Sequence, residues 1–237
     1  MEGFLLLGFL VGMAHAFEAD HIAAVGSLAS DGKATPKRLA VLGASWGLGH
    51  TTTLALISLP VILLGVVITD RLAAGLEFAI GVMLIILGTQ VFYKLRKARV
   101  HVHLHEHDDG KRHFHAHSHA GETRPHGKVS HVHKHGFSLR AYLIGLAHGA
   151  AGSAGLITLA AAATQNAGAA FGYIALFGLG STLGMAALTY AASWPLRLAE
   201  RAAGQMMTFV RLGMGGAAIA VGILVMWSAA PVIWGMV

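Results

Sequence analysis

The chain of 237 residues is 55% hydrophobic and only 12% charged, with a mean hydropathy of +0.62, which excludes a soluble domain of this size. No cysteine is present, so disulfides and thiolate metal sites are excluded. The formal net charge of +6 sits in Lys and Arg at the ends of apolar runs, which membrane topology explains without a nucleic-acid partner.

The first apolar run, 3–28, carries His15, Glu18, Asp20 and His21 and lacks a small-residue cleavage pattern. It reads as a retained helix rather than a signal peptide. Further spans are predicted over 39–68, 72–95, 139–164, 168–193 and 205–229, each near the ~20 residues that cross a bilayer. The breaks carry turn residues: Ser30-Asp31-Gly32 with Pro36, then Thr69-Asp70-Arg71, then Gln165-Asn166, then Trp194-Pro195. Residues 96–137 form one long polar insert.

The two halves match. Gly12-Met13-Ala14-His15 returns as Gly145-Leu146-Ala147-His148, and Trp46-Gly47-Leu48-Gly49-His50-Thr51 as Phe177-Gly178-Leu179-Gly180-Ser181-Thr182. Gly81 and Gly88 return as Gly215 and Gly222. Three spans per copy is an odd number, so the second copy must enter the membrane upside down. The expected fold is therefore all-α and polytopic, with six transmembrane helices in two inverted three-helix repeats. Repeat 1 covers 1–95, the insert 96–137, and repeat 2 138–237. Such repeats place a substrate site near the midplane, where they meet. Chance recurrence of small packing residues is the plainer alternative.

Lys33, Lys37 and Arg38 lie on one side with Arg197, Arg201 and the ten Lys and Arg between Lys94 and Arg140. Only Arg71 marks the other side. The positive-inside rule then puts both termini outside and the insert in the cytoplasm. Trp194, Trp227 and Trp234 read as interfacial anchors, and Glu77 and Arg211 as side chains that reach toward the interface.

Ionisable residues inside a bilayer need a reason, since each costs roughly 2.5–3.5 kcal/mol even on the lenient insertion scale. The first span holds four in seven residues, His15 to His21; the second adds His50, followed by three threonines; the fourth adds His148 among glycines. Imidazole suits nickel, cobalt and zinc, and a carboxylate balances charge or holds an imidazole in place. On a regular helix His15, Asp20 and His21 point in three directions, so one ion shared by all three requires a distortion near Gly12–His21. An interhelical hydrogen-bond network without metal is the plainer alternative.

Twelve of the sixteen histidines lie between His101 and His135. His101, His103, His105 and His107 alternate, as do His113, His115, His117 and His119, and then His131, His133 and His135. Alternate positions of an extended chain share a side, so each run offers neighbouring imidazoles to a divalent ion. The stretch has little to bury and is expected to be disordered without metal. A low-complexity linker with incidental metal affinity is the plainer alternative.

The string His15-Ala-Phe-Glu18-Ala-Asp20-His21-Ile resembles the His-x4-Asp-His signature of the nickel/cobalt transporter family. Gly49-His50-Thr51-Thr52-Thr53 resembles that family's Gly-His-Ser/Thr motif. Gly145 to Ala154 and Leu176 to Met185 are similar to motifs of its shorter six-span branch, the urease-accessory-type nickel permeases and nickel-cobalt efflux proteins. The resemblance implies a metal site at His15, Asp20, His21 and His50, with Glu18 where the family commonly has Asp. His148 joins that expected site as an intramembrane imidazole of the second half. The eight-span uptake permeases carry further acidic motifs, whereas here no intramembrane carboxylate follows the fourth span.

The expectation is a secondary transporter of Ni2+ or Co2+, with Zn2+ as a further candidate, in the cytoplasmic membrane and without a prosthetic group. Its partners are the ion, the bilayer and cytosolic nickel-enzyme maturation factors; no nucleic acid is expected. No Gly-x4-Gly-Lys-Ser/Thr occurs, so no ATP-binding motif of that kind is present. It is not read as an enzyme. A membrane metalloenzyme needs several His boxes on one face, and no His-x2-His-His or His-Glu-x2-His occurs. A metal reservoir or sensor built from the insert is a third class, and a zinc exporter lacks support because His-x3-Asp pairs are missing from the spans.

Overall fold

The computed structural model describes residues 2–30, 35–97, 101–106, 112–117, 137–150, 166–201 and 204–236. Among these lie seven helices and two strands. The helices are α1 (Glu2–His15), α2 (Ala19–Ala29), α3 (Pro36–Leu64), α4 (Asp70–Lys97), α5 (Leu139–Gly149), α6 (Ala167–Arg201) and α7 (Gly204–Ile233). The strands are β1 (His101–Glu106) and β2 (Arg112–His117).

Helices α3, α4, α6 and α7 are each long and apolar enough to cross a membrane. Helices α1 and α2, bent by 53° at their break, are together long and apolar enough to make a fifth span. The chain is thus a polytopic helical membrane protein. Of the predicted fourth span, α5 is described up to Gly149, and the remainder lies outside the described residues. Leu56, Leu64, Phe209, Leu224 and Trp227 face outward, as lipid contact requires.

The first span is not one rod. Phe17 N–H donates to the Ala14 carbonyl at 2.9 Å and Glu18 N–H to the His15 carbonyl at 3.1 Å. These tighter bonds close α1, and extended backbone at Glu18 then opens α2 in a new direction. At the far end of α3, Gly65 takes the left-handed conformation (φ 64°) that glycine adopts without strain. One predicted break is absent. Trp194-Pro195 does not end the fifth span, because α6 runs through Pro195 to Arg201. Membrane helices tolerate an internal proline when neighbours satisfy the freed carbonyl.

Small residues let the helices touch backbone to backbone. A Cβ on Gly12 would strike the Phe177 carbonyl, and one on Gly145 the Trp46 carbonyl. Gly180 is pressed in the same way on Phe9, and Gly49 on Tyr142. Helices α4 and α7 run antiparallel, with Gly81 against Gly222 and Gly88 against Gly215. The Arg71 guanidinium donates to the Ile233 carbonyl at 3.1 Å, which holds the start of α4 beside the end of α7.

Within the insert, where the sequence suggests a disordered chain, β1 and β2 pair antiparallel. His101 stands opposite His117, His103 opposite His115 and His105 opposite His113.

Candidate metal centre

The break between α1 and α2 turns the first-span cluster inward. His15 ends α1; Asp20 and His21 open α2; His50 sits midway along α3; His148 lies at the end of α5. The four imidazoles are buried, with His50 fully so. Ring centroids of His15 and His21 are 4.4 Å apart, those of His21 and His148 4.3 Å, and those of His15 and His50 5.1 Å. Gly149 makes room for this, since a Cβ there would collide with the His50 backbone.

Two carboxylates orient the rings. Asp20 Oδ1 accepts from His21 Nδ1 at 2.9 Å and from the His21 backbone N–H at 2.8 Å. Its Oδ2 accepts from His148 Nε2 at 3.0 Å. Glu18 Oε1 accepts from His15 Nδ1 at 2.7 Å. An ionised carboxylate only accepts, so each ring donates its N–H there and turns a lone pair elsewhere. His21 Nε2, His148 Nδ1 and both nitrogens of His50 are buried without a hydrogen-bond partner. Buried polar atoms left unpaired in this number mark a place where a ligand completes the bonding.

Among the described residues, two groups bring ligand atoms within 4.8 Å of one another: His15, His21 and His50, and Asp20, His21 and His148. The first is a set of three imidazoles, of which His15 and His21 are backed by carboxylates, the arrangement that raises ligand basicity and fixes ring orientation around a transition metal. The second shares His21 and adds a charge. Glu18 joins neither group; its side chain is 56% exposed and reaches the site only through His15.

The structure therefore brings His15, Asp20, His21, His50 and His148 together from four helices. Of the insert histidines, His101, His103, His105, His113, His115 and His117 are described as strand backbone. His107, His119, His131, His133 and His135 lie outside the described residues.

Sequence reasoning passed over the walls of the site. Trp46 is fully buried, and its ring lies 5.3 Å from that of His21 and 5.5 Å from that of His148. Phe177 closes the opposite side, 5.3 Å from His15. Their shared position in the two copies of the Gly-x-Gly motif was the available signal.

Comparison with known proteins agrees with this chemistry. The family model described as high-affinity nickel-transport protein matches residues 2–229. The urease accessory protein UreH of Bacillus sp. (strain TB-90) is 30% identical over 200 residues, covering 83% of this chain and 79% of that one. No solved structure matches. A match over nearly the whole chain, on a helical membrane protein with buried histidines, makes the chain a member of the high-affinity nickel-transport protein family.

Proposed function

We propose that the chain is a secondary transporter that carries Ni2+ or Co2+ across the cytoplasmic membrane through the His15–His21–His50 triad. The observation that carries this reading is the convergence of three buried imidazoles, two of them with unpartnered nitrogens, where four helices meet. Asp20 and Glu18 hold the imidazoles, and Asp20 with His148 offers the ion a second, charged position that shares His21.

Reciprocal contacts support inverted repeats as the frame for this movement. Gly12 against Phe177 and Gly145 against Trp46 exchange with one another when the halves are exchanged, as do Gly180 against Phe9 and Gly49 against Tyr142. Thr51 and Thr182 are matching residues, and their hydroxyls lie 3.1 Å apart, as residues on a two-fold axis do. That axis passes one residue from His50. Rocking of one repeat against the other would expose the triad to each side in turn.

The Lys and Arg distribution supports a cytoplasmic insert and external termini. The insert then collects or buffers metal on the cytosolic side. The urease accessory relative supports a link to maturation of cytosolic nickel enzymes.

The test is radiolabelled nickel content of cells expressing the protein or its His21→Ala variant, with cold cobalt and zinc as competitors. A nickel level above that of the variant indicates import, and a level below it indicates export. Equal levels contradict the transporter reading.

A further inference from the structure

Ser181 lies in α6 with no exposed surface, and its Oγ has no hydrogen-bond partner. Most helical hydroxyls here bond the carbonyl one turn back or a neighbouring helix, as Ser45 does to Val41 and Thr51 to Gly178. Ser181, like Ser27 of α2, does neither, so its hydroxyl is a buried polar group able to take a ligand.

The packing of α6 fixes where Ser181 faces. Gly180 and Gly184 press on Phe9 and Met13 of α1 and on Ala16 just beyond it, whereas Gly178 and Thr182 meet Thr51 and Gly47 of α3. At about 100° per residue, position 181 lies midway between those two directions. The α1 contacts set it at the level of Met13–Ala16, and the antiparallel α3 contacts set it within about one turn of His50. One turn earlier on the same face, the Phe177 ring lies 5.3 Å from that of His15. Ser181 therefore faces the gap in which the His15 and His50 rings stand 5.1 Å apart. It is also the second-half counterpart of His50 in the repeated motif.

We propose that Ser181 is an oxygen donor to the ion held by His15, His21 and His50. The proposal rests on the triad being the ion's site. Three imidazoles leave a fourth position open on the ion, and the Ser181 hydroxyl supplies a neutral oxygen there.

The test uses the full-length protein, loaded with Co2+ in detergent and reconstituted for nickel flux. Subtracting the cobalt spectrum of His21→Ala removes the contribution of the insert histidines. In Ser181→Ala the visible bands of the site-bound cobalt should shift, and cobalt affinity should fall about tenfold, the scale expected when one group supporting a metal site is lost, with a matching rise in the nickel concentration needed for half-maximal flux. Ser181→Thr should behave as the natural protein. Ser181→Cys puts the only thiol of the chain at this position and should give a sulfur-to-cobalt charge-transfer band. A natural-type spectrum and cobalt affinity in Ser181→Ala, or no such band in Ser181→Cys, overturn the role of Ser181 alone. Identical spectra for the natural protein and His21→Ala overturn the triad, and this proposal with it.

Discussion

Asp20 and His148 are 128 positions apart, yet the Asp20 carboxylate accepts a 3.0 Å hydrogen bond from His148 Nε2. The other oxygen of the same carboxylate holds His21. One side chain thus orients two imidazoles and ties the start of α2 to the end of α5. Both rings are 1% exposed. The charge also explains why an acid is tolerated here: it is matched by two ring N–H groups and a backbone N–H.

Asp20→Ala removes the acceptor from both rings. Nickel affinity of the purified protein, read by equilibrium dialysis, should fall roughly 10–100-fold, with partial recovery in Asp20→Glu. Affinity equal to that of the natural protein would show that Asp20 does not organise the site.

Glu18→Gln should do less. Its side chain is 56% exposed and holds the His15 ring, and an amide oxygen can still accept from Nδ1. Affinity should fall by less than about tenfold, well short of the Asp20→Ala loss. A larger loss than in Asp20→Ala would make Glu18 a direct ligand.

Gly12→Ala and Gly145→Ala drive a methyl group into the Phe177 and Trp46 carbonyls. Each should lower stability by about 1–3 kcal/mol, seen as earlier thermal unfolding in detergent. Gly216, with nothing within 4 Å of a built Cβ, is the control. Gly216→Ala should leave stability unchanged or raise it by up to about 1 kcal/mol through helix propensity. Equal unfolding temperatures for all three variants would contradict the tight helix seams.

Deletion of residues 101–135 separates carrier from reservoir. Nickel flux at saturating nickel should persist, and the effect of the deletion should grow as nickel is lowered. Complete loss of flux at every concentration would make the insert the working part.

Much of the site was legible in the sequence because the hydrocarbon core makes every ionisable residue conspicuous. His15, Glu18, Asp20 and His21 stood out by density, and His50 and His148 by isolation in apolar surroundings. The angular mismatch of His15, Asp20 and His21 on a straight helix left two readings, a distortion or different roles for the three; the helix breaks at residues 16–18, and Asp20 falls in a different group of ligand atoms from His15. The partnership of Asp20 with His148 was not legible, since it depends on α5 packing along α3, which brings its end to the start of α2, and leaves no trace in spacing. Ser181 was hidden for a related reason: a serine among glycines reads as packing until its neighbours on two helices are known. Pro195 misled because proline ends soluble helices more reliably than those in lipid, where neighbouring groups repair the lost bond.

The most direct measurement is radiolabelled nickel flux across proteoliposomes containing the purified protein without residues 101–135, compared with the same protein carrying His21→Ala. The expected result is saturable flux that cobalt inhibits, and no flux above empty liposomes once His21 is replaced. Undiminished flux in the His21→Ala protein would contradict passage of the ion through the buried histidine cluster.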